Sequence, residues 1–110
     1  EESSGVKLLR EFKTLIEQNF REWHKMAGYT SSLNVSAKHL SFTTKNLTGK
    51  TAKEMIQDRI ILEAKRLLLH TNLSIKEVAY DLGFEEPLHF SSFFKKCTKQ
   101  SPSDFKSAKH

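Results

Sequence analysis

The run DLGFEEPLHFSSFFKK, residues 81–96, decides how this chain is read. Gly83 and Pro87 are helix breakers, yet just beyond them Phe90, Phe93, Phe94 and Cys97 recur at the spacing of one helical face. That phase predicts four buried side chains, with Cys97 among them as a small apolar residue. The opposite face then carries Leu88, Ser92, Lys95 and Lys99, flanked by His89, Ser91 and Lys96. Gly83 makes a turn, and Glu85, Glu86 and Pro87 start the next helix. Proline is tolerated there because first-turn amides have no intrahelical partner.

Working outward, the remaining segments also read as helices. Val6 to Trp23 sets Leu9, Phe12, Ile16, Phe20 and Trp23 on one face, most simply as core. A short second helix is expected from about Met26 to Leu33, although Gly28 and three hydroxyl residues weaken it. Ser36 is a good N-cap for a third helix that Gly49 stops. Thr51 with Glu54 forms a capping box for a long fourth helix to His70, and Ser74 with Glu77 forms another for a short fifth ending at Gly83. The sixth runs from Glu86 to about Thr98, and Ser101-Pro102-Ser103-Asp104 opens the last. No segment reads as a strand, so the expected fold is all-α with about seven helices.

The chain also repeats itself. Leu33-Asn34-Val35 matches Leu82-Gly83-Phe84, and from there Leu40-Ser41 matches Phe90-Ser91, Lys45 matches Lys95 and Thr48 matches Thr98. Each copy is a short helix, a tight turn and a longer helix. Asn34 and Gly83 hold the same turn position, and these are the residue types that most readily adopt a left-handed backbone. The pattern is a helix-turn-helix, present twice.

Composition narrows the partners. A chain of 110 residues makes one domain or two very small ones. No apolar run approaches the ~18 residues that would span a bilayer, so no membrane segment is expected and the cytoplasm is the default location. One cysteine excludes an intrachain disulfide or a Cys-rich zinc site, and the five histidines form no H-x-x-x-H pair. No phosphate loop or nucleophile elbow appears, so neither cofactor nor catalytic residue is expected, and an enzyme built on Cys97 or a histidine has no supporting motif. The formal charge is +5, and its distribution is uneven: residues 34–53 hold four lysines and no acid, and residues 87–103 hold three lysines and no acid. Such faces suit a polyanion. The alternative is a helical protein-interaction module whose basic faces are merely solvated.

Together, S-I-K-E-V-A-Y-D-L-G-F (74–84), H-F-S-S-F-F-K-K (89–96) and S-P-S-D-F (101–105) closely resemble the DNA-binding domain of AraC/XylS-type bacterial transcription regulators. The resemblance covers about residues 6–106. It implies two homeodomain-like helix-turn-helix units, about 6–50 and 74–107, joined by a linker helix at about 52–70. Residues 1–5, outside the resemblance, are expected as a disordered lead or tag remnant. In that family the second helix of each unit enters the major groove, in successive grooves of double-stranded DNA. A helix over residues 53–69 would span ~26 Å, compatible with recognition helices one DNA turn, ~34 Å, apart. The implied setting is the C-terminal part of a longer regulator, expected as an activator, with an upstream sensory domain and RNA polymerase as a further partner.

Helical phase selects the DNA-facing side chains independently. In the first unit Leu40 and Leu47 mark the buried face, leaving Lys38, Phe42 and Lys45 outward with Ser41, His39 and Asn46 beside them. N-terminal residues of a recognition helix reach base edges and later basic ones reach phosphates. The base-facing candidates are therefore Lys38, Ser41 and Phe42, then Leu88, His89 and Ser92, to which the family's contact positions add Pro87. The phosphate candidates are Lys45, Ser91, Lys95 and Lys96. Family members often carry arginine where this chain has Phe42 and Ser92, which removes the strongest reader of guanine at two places. Phe42 and Leu88 would instead suit thymine methyl groups. Phe42 has a second available orientation, inward, because Thr43 and Thr44 stand where large core residues are expected. His89 has a plain alternative as a residue touching only solvent, and Lys99 replaces the glycine usual after the second recognition helix.

Overall fold

Seven α-helices and no strand make up residues 3–108, the part of the chain that the computed structural model describes. They are α1 (Ser4–Asn19), α2 (Met26–Leu33), α3 (Ala37–Thr48), α4 (Ala52–His70), α5 (Ile75–Asp81), α6 (Pro87–Thr98) and α7 (Pro102–Ser107). The chain divides into two compact units, one running to Arg59 and the other starting at Ile60, with the boundary inside α4.

In the first unit α1, α2 and α3 pack on one another around Phe12, Ile16, Phe20, Tyr29, Leu40 and Thr44, and Ala52 and Ile56 from the start of α4 are buried as well. Tyr29 makes T-shaped contacts with both Phe12 and Trp23, with ring centroids 5.5 and 5.3 Å away. Its hydroxyl donates to the Trp23 carbonyl at 2.9 Å, and burial pushes the phenol up to about 12. A Cβ added at Gly28 would stand 2.6 Å from the Trp23 indole, so the residue that weakens α2 by propensity is the one that lets this ring approach so closely.

Two boundaries of α1 differ from the sequence reading. The helix opens at Ser4, because the Ser3 hydroxyl accepts from the Val6 amide at 3.1 Å and caps it. The disordered lead expected over residues 1–5 therefore does not extend to Ser3, Ser4 and Gly5; residues 1 and 2 lie outside the described part. The helix also stops at Asn19 rather than Trp23. There the Glu22 and Trp23 amides both turn back to the Asn19 carbonyl, at 3.0 and 2.7 Å. Trp23 thus leaves the α1 stripe and joins α2 instead.

The second unit packs α6 against α5 and α7, with Ile60, Ala64 and Leu68 of α4 buried beside Val78, Ala79, Leu82, Phe90, Phe94 and Phe105. Its aromatic row is continuous: Phe84 to Phe90 is 5.4 Å between centroids, Phe90 to Phe94 is 5.9 Å and Phe94 to Phe105 is 5.5 Å. Fully burying each such ring stabilises the fold by ~1.5–3 kcal/mol. Lys106 ties α7 down by donating to the Leu73 carbonyl at 3.0 Å.

Candidate nucleic-acid interface

Each unit contains the same three-part device. In the first, α2 ends at Asn34, whose φ of 55° is left-handed, and α3 follows. In the second, α5 is followed by Gly83 at φ 87° and then by α6. The repeat extends to the far end of each longer helix. Gly49 (φ 82°) and Lys99 (φ 69°) both close it in the left-handed region. One residue earlier, Thr48 and Thr98 donate back to the Thr44 and Phe94 carbonyls at 2.7 and 2.9 Å, and accept from the Lys50 and Gln100 amides at 3.1 and 3.2 Å. Two threonines fifty positions apart therefore make the same pair of bonds at a helix end, one back into the last turn and one to the amide just beyond it.

Phase and structure disagree at one repeated position. Leu47 and Cys97, both read as buried, are exposed, Leu47 by 47%. Each lies seven residues after a fully buried anchor, Leu40 or Phe90, so its azimuth is that of the core. Each also sits in the last turn of its helix. The aromatic cover that Phe84 gives Phe90 and Phe93 lies over the earlier turns. Periodicity specifies direction around a helix but not how far along it the neighbouring elements reach.

The candidate DNA-facing residues gather on one side of each longer helix. On α3, Lys38, Phe42 and Lys45 are exposed and Ser41 is half-buried. Phe42 is 64% exposed, while Thr43 and Thr44 are buried in its place, Thr44 donating to the Ser41 carbonyl at 3.1 Å. The inward orientation of Phe42 does not occur. Ser36, Lys38, His39 and Phe42 line a surface cleft of about 310 Å³ at the N-terminal end of α3. On α6, Leu88 is 78% exposed, His89, Ser92, Lys95 and Lys96 are exposed, and Pro87 and Ser91 are half-buried.

One residue that phase alone left on the flank stands out. His39 is the third residue of α3 and His89 the third of α6, and both are exposed. The repeat offset was the signal that pairs them. The helix starts differ in charge: Ser36 caps α3 by accepting from the His39 amide at 3.0 Å, whereas α6 is preceded by the exposed Glu85 and Glu86 and has no side-chain cap. Neither α3 nor α6 carries an arginine. Arg59 and Arg66 instead pair with Glu17 and Glu63, the latter through two hydrogen bonds of 2.9 and 2.7 Å. Among the described residues no three His, Cys, Asp or Glu side chains are placed to hold a metal ion, and no helix is long and apolar enough to cross a membrane.

The comparisons with known proteins agree with this geometry. A helix-turn-helix domain family matches residues 29–108. The chain is 35% identical over 100 residues to the uncharacterized HTH-type transcriptional regulator YfiF of Bacillus subtilis, covering 91% of this chain and 32% of that protein. It is 34% identical over 92 residues to the arabinose operon regulatory protein of Escherichia coli, covering 84% of this chain and 30% of that one. The solved C-terminal domain of AraT, a response regulator from Geobacillus stearothermophilus, superposes with a TM-score of 0.83 at 27% identity, over 96% of this chain and 88% of that domain. The chain thus spans about a third of the length of these two curated relatives.

Proposed function

The chain belongs to the AraC-type family of helix-turn-helix transcription regulators, and from that premise we propose that it binds double-stranded DNA sequence-specifically, α3 and α6 each entering a major groove. The observation that carries this is the duplicated turn followed by a helix whose outward side is basic and free of acid. A recognition helix must be held rigidly on one side and must offer donors and cations on the other. Leu40 and Phe90 hold α3 and α6 by full burial, and Lys38, Phe42, Lys45, Leu88, Ser92 and Lys95 lie on the side away from them.

In this reading Lys38, Ser41 and Phe42 face bases from the first unit, and Pro87, Leu88, His89 and Ser92 from the second. Lys45, Ser91, Lys95 and Lys96 meet phosphates. The domain division that goes with it is a first helix-turn-helix unit over about 6–50, α4 as linker, and a second unit over about 74–107. Because the chain spans a third of its relatives' length, the reading places it as the DNA-binding part of a longer cytoplasmic regulator, with a sensory domain and RNA polymerase as partners.

Substitution separates the two kinds of contact. Lys95→Ala should weaken binding to all duplexes alike, whereas His89→Ala should erode discrimination at one base pair, by ~1–3 kcal/mol if a good contact is lost. Quantitative binding to a duplex selected from random sequences, and to its single-base variants, reads both. Equal affinity of Lys95→Ala and the parent chain for every duplex would count against the assignment.

A further inference from the structure

The internal repeat lets the two recognition helices be compared position by position, and they do not match where it matters. The second residue of each helix is Lys38 in α3 and Leu88 in α6; the sixth is Phe42 in α3 and Ser92 in α6. Each helix therefore carries one large apolar side chain on its outward side, but at a different turn. The two places are four residues apart, about 6 Å along a helix axis.

Neither side chain has a packing role that accounts for it. Phe42 and Leu88 are 64% and 78% exposed, the two most exposed of the large hydrophobic residues. In the first two turns of α3 and α6, Lys38 is the one lysine or arginine, and the bidentate arginine reader of guanine is missing from both helices. What the major groove offers an apolar side chain is the C5-methyl group of thymine.

We propose that the two helices read thymine methyl groups at non-equivalent places, Phe42 in the sixth position of α3 and Leu88 in the second position of α6. This rests on the DNA-binding reading above. Lys38, at the position where the other unit has Leu88, adds a donor able to meet guanine in the first half only. The surface cleft bounded by Lys38, His39 and Phe42 lies at the end of α3 that this contact uses.

Deoxyuridine tests the inference directly, because it keeps the pairing and the O4 acceptor of thymine and lacks only the methyl group. A duplex is selected from random sequences with the full chain, and each of its thymines is then replaced singly by deoxyuridine. One position in each half-site should lose affinity about fourfold, the effect of leaving one methyl group uncovered. Phe42→Ala should abolish the loss in one half-site and Leu88→Ala the loss in the other, each without affecting its counterpart. Both side chains are exposed, so the variants retain the fold, and matching helical circular dichroism checks this. Phe42→Leu, which keeps an apolar tip, should retain the sensitivity. Tight binding that is indifferent to every deoxyuridine, a selected site without thymine, or sensitivity unchanged in both alanine variants overturns the inference while leaving DNA binding intact. Failure to select any duplex overturns the DNA-binding reading itself.

Discussion

Lys99 holds a left-handed backbone conformation that its counterpart in the first unit, Gly49, adopts without a Cβ. That conformation costs a non-glycine residue ~1–2 kcal/mol. Lys99→Gly should therefore raise stability by about 1 kcal/mol in urea unfolding, with an unchanged m-value. Gly28 presents the opposite case. Alanine is the better helix former by ~1 kcal/mol, yet Gly28→Ala should destabilise the chain by ~1–3 kcal/mol, because its methyl group would overlap the Trp23 ring. The first substitution was legible in the sequence, since a lysine stands where the repeat has glycine. The second was not. Its reason depends on where α1 stops, and nothing local to Gly28 announces an indole from another segment.

At the level of elements, the helix starts were readable because capping chemistry lies within four residues. Ser36, Ser74 and Ser101 each accept from the amide three residues on, at 3.0–3.1 Å. Ser36→Ala should cost about 1 kcal/mol, measured by thermal unfolding, and should loosen the start of α3. The two capping boxes add a pH dependence. Glu54 accepts from the Thr51 amide at 2.8 Å and Glu77 from the Ser74 amide at 2.8 Å, and these bonds hold both carboxyls below their ordinary value. A carboxyl held low in the folded chain contributes stability that is complete above its unfolded value and is lost as pH falls through the lowered folded one. Glu54→Gln with Glu77→Gln should accordingly flatten the acid limb of a stability profile, the variant matching the parent at low pH and lying below it at neutral pH, because glutamine still closes the box but lacks the charge whose loss makes that limb. An unchanged acid limb would remove these two carboxylates from the account. Helix ends without a cap were harder to read. The amides that close the chain after Asn19 are not marked by glycine or proline, so the apolar stripe ran on to Trp23 on paper. Leu47 and Cys97 failed together because both depend on how far the covering elements extend.

For the molecule as a whole, the fold class, the seven helices and the duplicated turn were legible because each rests on local or periodic signals that agree with one another. Apart from Leu47 and Cys97, the outward sides of α3 and α6 followed from phase, and the orientation of Phe42 required the structure, since two threonines beside it are polar in composition yet buried. The whole-chain property that follows is electrostatic. With a net charge of +5 and the basic residues of α3 and α6 on their exposed sides, association with duplex DNA should release condensed counterions in proportion to the phosphates met. Affinity for a selected duplex, measured from 50 to 200 mM salt, tests this most directly. If roughly six to ten phosphates are contacted, affinity falls about a thousandfold or more on a straight log–log line, and Lys95→Ala lowers the slope by about one. No binding to any duplex at 50 mM salt, or binding indifferent to salt, would contradict the account.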